Sequence, residues 1–242
     1  MIRSIYWFMY FFGFLVYSLP SLRKVKSLPS SMSTAERDRK VHEVPKRWAR
    51  DLVNLTGSTV TIKGTEHLPE GAVLFVSNHQ GNFDIPVLMS SIAKPFGFIS
   101  KVEVKKIPLV SKWMEVMNCI FIDRGNRRQA IQSIKDGAQM LKEGHSLVIF
   151  PEGTRSKGGA VAEFKAGGLR MALDAKVPVV PVTINGTYKI MEQNKFGFTP
   201  AHVEVIIGKP VVKHIEEKTD GKELAHFIRA TIIENLGKSS LK

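Results

Sequence analysis

From Gly57 onward the chain alternates short apolar runs with segments of helical periodicity, and few folds accommodate that rhythm. Strand-like runs cover Ser58–Lys63, Ala72–Ser77, Phe96–Ser100, Cys119–Asp123, Ser146–Phe150, Val177–Ile184 and His202–Ile207. The clearest helical pattern is Arg127–Glu143, where Ile131, Ile134, Ala138 and Leu141 share a face and Gly144 is placed as a stop. Phe164–Ala175 is a second, weakened by Gly167 and Gly168. Asp220–Leu236 carries Leu224, Ile228, Ile232 and Leu236 on one stripe. This alternation predicts an α/β domain over residues 57–242, with a central mostly parallel or mixed sheet flanked by helices. Two of the runs, Ala72–Val76 and Leu147–Phe150, each lead into a polar block. At the ends of parallel strands both blocks would reach one edge of the sheet, where α/β proteins bind ligands.

Residues 1–56 obey a different pattern. No charged residue lies between Arg3 and Arg23, and the stretch is crowded with Tyr6, Trp7, Phe8, Tyr10, Phe11, Phe12, Phe14 and Tyr17. As a helix these residues would extend about 28 Å, just short of a typical hydrocarbon core. Aromatic side chains favour the headgroup boundary, and Arg23, Lys24 and Lys26 follow as basic anchors. Arg3 is a weak start for a cleavable signal, and the small-residue pair Ser31 and Ser33 lies far beyond the apolar run, so a retained anchor, shallow or spanning, is expected. Leu19–Ser33 reads as a connector. Over Thr34–Thr56, Val41, Val44, Trp48, Leu52 and Leu55 form one helical face, with Pro45 expected to kink or break it. That face suits an anionic membrane or the following domain, and the two uses are compatible.

The formal net charge of +13 implies an anionic partner. The aromatic anchor points to a membrane phospholipid surface, and the chain carries no nucleic-acid-binding motif. With one cysteine, Cys119, no intrachain disulfide and no Cys-rich zinc site can form.

The first polar block is Asn78-His79-Gln80-Gly81-Asn82-Phe83-Asp84. His79 and Asp84 are about 500° apart on a helix, so they meet only if the backbone between them is not helical. Gly81 and Asn82 supply such a stretch, with Asn82 as a candidate N-cap and Asp84 in the first turn. Asp84 can then accept the Nδ1 proton of His79, leaving Nε2 as a base. A bare His-x4-Asp pair is more often a capping or structural histidine with a plain helix-dipole carboxylate. The second block, Phe150-Pro151-Glu152-Gly153-Thr154-Arg155-Ser156, offers a tight turn and a planar guanidinium fork for phosphate. Arg124 stands just past another strand and could share that phosphate, although either Arg alone also suits a surface ion pair. Around Ser146 the Gly-x-Ser-x-Gly elbow is incomplete, so no enzyme nucleophile is evident. No metal-ligating motif and no nucleotide-phosphate loop occurs.

Taken together, Asn78-His79 with Asp84, Phe121-Ile122-Asp123-Arg124, Phe150–Ser156 and Val177-Pro178-Val179-Val180-Pro181 resemble the four ordered blocks of the glycerolipid acyltransferases. The similarity spans about Gly64 to Ile184 and is greatest to the bacterial 1-acyl-sn-glycerol-3-phosphate branch. Gly81 departs from it, since family members commonly carry Ser there. The resemblance implies that His79 deprotonates the free sn-2 hydroxyl of lysophosphatidic acid while Asp84 orients the imidazole. It implies direct attack on acyl-CoA or acyl carrier protein as donor substrate, giving phosphatidic acid, with no cofactor and no metal. Glycerol 3-phosphate or another lysophospholipid is the alternative acceptor, and a non-catalytic anionic-lipid-binding protein is the alternative from a different class. Arg124, Glu152, Gly153, Thr154 and Arg155 would hold the acceptor phosphate. Lys101 and Lys105 are both candidates for an oxyanion or substrate contact. The expected location is the cytoplasmic face of the inner membrane.

Overall fold

A computed structural model describes residues 2–217 and 219–239; the outer ends of the two expected segments, Met1 and 240–242, lie outside them. Three helices come first, α1 (Ile2–Tyr17), α2 (Leu19–Lys26) and α3 (Thr34–Leu55). Next come β1 (Thr59–Lys63), β2 (Leu74–Ser77), α4 (Asp84–Ser91), β3 (Gly97–Lys101), α5 (Val110–Val116) and β4 (Ile120–Ile122). The chain continues through α6 (Arg127–Lys142), β5 (Leu147–Ile149), α7 (Arg170–Ala175), β6 (Val179–Asn185), β7 (His202–Ile207), α8 (Lys213–Glu216) and α9 (Gly221–Lys238).

The seven strands form one mixed sheet in the order β1-β7-β6-β2-β5-β3-β4. All neighbours are parallel except β6 and β7, so five strands run one way and β1 and β7 the other. Alternation along β2 shows how both faces are filled. Phe75 joins Val148, Val180 and Val182 against Leu52, Val53, Val87 and Leu88. Leu74 and Val76 point the other way, into a cluster with Leu141, Met171, Ile228 and Ile232. Strands covered on both faces are continuous apolar runs, which is why they are readable as such.

Three helical expectations change. Leu19–Ser33 is not wholly a connector, because Leu19–Lys26 is helical: Pro20 falls in the first turn, where its missing N–H costs nothing, and Leu22 and Val25 are buried. Pro45 does not break α3, which runs unbroken for 22 residues with Pro45 itself buried. Phe164–Ala175 becomes a helix only from Arg170, after a 3-10 turn over Ala166–Leu169 that contains the two glycines.

The N-terminal helices are stitched to one another and to α5. Trp7 Nε1 donates to the Leu52 carbonyl at 2.9 Å, Trp113 Nε1 donates to Ser18 Oγ at 2.8 Å, and Tyr10 donates to Asp51 at 2.6 Å. The α3 face buries Val41, Ala49, Leu52 and Val53 against the domain. No single helix among the described residues is long and apolar enough to cross a membrane; α1 and α2 reach that length and composition only as a pair bent by 42°.

Candidate active site

β2, β3, β4, β5 and β6 all end at one edge, and the segments that leave β2, β5 and β6 meet there. Past β2, the Asn78 side chain pins the exit. Its Nδ2 donates to the Ile184 carbonyl and its Oδ1 accepts the Ile184 N–H, both at 2.8 Å, so an amide extends the pairing with β6. The adjoining turn is strapped to the segment after β5: Ser156 N–H donates to the His79 carbonyl at 2.8 Å and Lys157 N–H to the Gln80 carbonyl at 3.1 Å. The two polar blocks therefore touch directly.

Within the turn, His79 Nδ1 lies 2.6 Å from Asp84 Oδ2. Asp84 is fully buried, and its charge is met by donors on both oxygens. Oδ2 also accepts the N–H groups of Gln80 at 2.6 Å and Gly81 at 3.0 Å, and Oδ1 accepts the Thr187 hydroxyl. Such a carboxylate holds the Nδ1–H tautomer of its histidine. His79 Nε2 has no hydrogen-bond partner among the described residues, and the side chain keeps 19% exposure. Phe150 stacks on the imidazole at 4.2 Å between centroids and fixes the plane of the ring.

Asn82 is not the N-cap of α4. Phe83 holds that position in a helical conformation without a side-chain cap, because Asp84 has turned its carboxylate back to the amides of Gln80 and Gly81. Asn82 instead accepts from Arg155 through Oδ1.

After β5, Glu152 faces inward. Its oxygens accept the N–H groups of His79 at 2.7 Å and Ala162 at 2.9 Å. Burial raises the Glu152 carboxyl above its ordinary range, partly offset by those two amides. Gly153 has φ of +74°, a left-handed conformation that glycine adopts without steric cost. A Cβ there would also lie 3.1 Å from Arg124 Nη1 and 3.3 Å from Lys165 Nζ, so two cationic side chains lie against this turn, and Arg155 leaves it toward Asn82. Arg124 donates to the Gly153 carbonyl, and Thr154 and Arg155 are exposed. Lys101, at the end of β3, and Lys105, whose Nζ sits 4.9 Å over the Phe121 ring, have no hydrogen bond to the His79 cluster among the described residues.

Sequence reading did not single out Thr187 or Glu192. They follow β6, more than one hundred residues after the His79 turn, and reach it only because β6 pairs with β2. No local motif carries that signal.

Beside the turn opens a cavity of about 440 Å³, within the usual range for ligand pockets. Asn82 and Phe83, from the His79 turn, are among its lining residues, and Trp7, Phe11, Trp48, Phe98 and Trp113 are among its apolar walls. Helices α1 and α3 thus form part of the wall.

Residues 59–185 match the acyltransferase family model. Two curated relatives share the name "Probable 1-acyl-sn-glycerol-3-phosphate acyltransferase". That of Mycoplasma pneumoniae is 37% identical over 75% of this chain and 68% of its own length. That of Mycoplasma genitalium is 31% identical over 93% and 87%. The crystal structure of the 1-acyl-sn-glycerophosphate (LPA) acyltransferase PlsC from Thermotoga maritima superposes with a TM-score of 0.84 at 26% identity, covering 100% of this chain and 98% of that one. With the family match covering just over half the chain and relatives aligned along most of it, this chain belongs to the acyltransferase family.

Proposed function

We propose that the chain transfers a fatty acyl group from an acyl thioester to the sn-2 hydroxyl of lysophosphatidic acid, giving phosphatidic acid. The observation that carries this reading is the turn of His79 and Asp84, which is hydrogen-bonded to the cationic block after β5 and supplies Asn82 and Phe83 to the lining of the apolar cavity. The names of the relatives agree with it. His79 takes the acceptor's hydroxyl proton at Nε2 while Nδ1–H stays on Asp84, and the new alkoxide attacks the thioester carbonyl. The thiolate leaves with a conjugate thiol of pKa about 8.5, so the protonated His79 suffices to return the proton. No acyl-enzyme is needed. Coenzyme A or acyl carrier protein carries the donor, and the cavity receives a long acyl chain.

Arg124, Arg155 and the Gly153–Thr154 turn hold the acceptor phosphate, with Glu152 bracing the turn from within. Arg155→Ala is expected to raise the acceptor KM roughly ten- to a hundredfold, the loss of one charge-assisted hydrogen bond. An effect confined to the donor KM would contradict the assignment.

The site works at a membrane surface. Ile5, Tyr6, Met9, Phe12 and Val16 stand exposed on α1, and Phe196 is 95% exposed on the loop that packs Phe198 against Trp7. Lys195 beside it, with Arg23, Lys24 and Lys26, adds attraction to an anionic leaflet. Phe196→Asp is expected to weaken co-sedimentation with phosphatidylglycerol vesicles severalfold while leaving thermal stability unchanged. Unaltered vesicle binding would remove this loop from the contact.

A further inference from the structure

We propose that Glu192 is a positioning residue: it holds Arg155 beside the His79 turn, and Gly81 is glycine to leave room for its carboxylate. The first half rests on reading Arg155 as a phosphate ligand; the second stands on geometry alone.

Glu192 lies past β6 and a 3-10 turn over Thr187–Lys189, and its side chain is only 4% exposed. Its two oxygens have different surroundings. Oε1 accepts the Asn82 N–H at 2.7 Å and lies 3.6 Å from Arg155 Nη1. That same Nη1 donates to Asn82 Oδ1 at 2.5 Å. Asn82 and Glu192 therefore grip one guanidinium nitrogen between them, leaving its other N–H groups for a ligand. Oε2 is buried without a hydrogen-bond partner among the described residues. An unmet carboxylate oxygen is costly, and such groups merit a functional explanation. Burial pushes the Glu192 carboxyl up. The amides of Asn82 and of Glu192 itself pull it back, the Asp84 charge raises it, and Arg155 lowers it.

The orphan oxygen rests against Gly81. A Cβ on Gly81 would lie 2.6 Å from Glu192 Cδ and closer still to Oε2. Gly81 does not have a positive φ, so space and not backbone conformation is what holds glycine there. Successive amides of the turn are thus shared between two carboxylates: Gln80 and Gly81 donate to Asp84, and Asn82 donates to Glu192. A Ser at 81, which the family resemblance would lead one to expect, cannot coexist with this placement of Glu192.

If Glu192 were only a brace for the Asn82 amide, removing its charge would disturb both substrates alike or neither. As a positioning residue it acts on the acceptor through Arg155. The test uses the full chain purified in detergent, with lysophosphatidic acid and an acyl thioester. Glu192→Gln keeps the size and is expected to raise the acceptor KM about three- to tenfold, with kcat and donor KM within about twofold. In the Arg155→Ala background it should have no further effect. An unchanged or lowered acceptor KM, or equal losses for both substrates, overturns the proposal.

A second measurement needs no turnover. Gly81→Ala should lower the unfolding temperature by about 3–10 °C beside Glu192, and by much less in the Glu192→Ala background. Equal losses in both backgrounds overturn the pairing. Coupled unfolding in a protein that acylates no lysophosphatidic acid would count against the proposed function and leave the pairing standing. Acyl transfer without the coupling would do the reverse.

Discussion

His79→Ala is expected to lower acyl transfer by about 10²–10⁴-fold, the usual worth of a positioned general base, while the protein still folds. Folding survives because the backbone of residue 79 is held independently of the ring. Its N–H donates to Glu152 and its carbonyl accepts from Ser156, and alanine keeps both. Asp84 would keep three of its four donors, the amides of Gln80 and Gly81 and the Thr187 hydroxyl. The ring's stacking on Phe150 would be lost, a modest cost for a side chain already part-exposed. The measurement is the turnover of purified variant and wild type alongside their unfolding temperatures. Near-normal turnover in the variant would end the base assignment.

Asp84→Asn should cost more than His79→Ala in stability and about as much in activity. The carboxylate is fully buried and accepts from four donors. An amide offers one acceptor oxygen. Placed where Oδ2 stands, it keeps the His79 Nδ1–H and the Gln80 and Gly81 amides, and Nδ2 then faces the Thr187 hydroxyl, which can turn to accept. Those hydrogen bonds lose their charge assistance, about 1 kcal/mol each, so a loss of roughly 2–4 kcal/mol in unfolding free energy is expected. The Nδ1–H tautomer survives, but the negative charge facing the positive charge that develops on the ring is gone. Two charges in contact near a protein surface attract by about 3–4 kcal/mol, so a loss of about 10²–10³-fold in turnover is expected. Activity within tenfold of wild type, in a stably folded Asp84→Asn protein, would show that the carboxylate's charge does not support the base.

The parts of this fold that are readable in the chain are those written in consecutive residues. The interior strands are apolar on both faces, so Leu74–Ser77 and Leu147–Ile149 stand out as unbroken runs. Strand β7 occupies His202–Ile207, the span its sequence pattern gives. Short helices are not visible in this way. Val110–Val116 begins at a Leu109 of positive φ and has no polar cap to announce it. Leu19–Lys26 is hidden among Ser, Pro and Lys residues that elsewhere mark a loop. The site divides in the same way. His79 and Asp84 share one turn, and Gly81 within it shows that the backbone must leave the helix. Thr187 and Glu192 are set there by the order of strands in the sheet, since β6 pairs with β2, and sheet order is not a local property. The cavity is likewise assembled from α1, α3, α4 and α5, so its volume depends on how separate helices pack.

On the proposed reading, the cationic turn and the His79 base together select a phosphorylated acceptor that already bears one acyl chain. Its most direct test is the initial rate of labelled acyl transfer by the purified full chain in detergent or liposomes, across lysophosphatidic acid, glycerol 3-phosphate and a lysophospholipid lacking a terminal phosphate. The predicted result is the highest kcat/KM with lysophosphatidic acid and labelled phosphatidic acid as the product. A preference for glycerol 3-phosphate, or for the acceptor without a terminal phosphate, would contradict it.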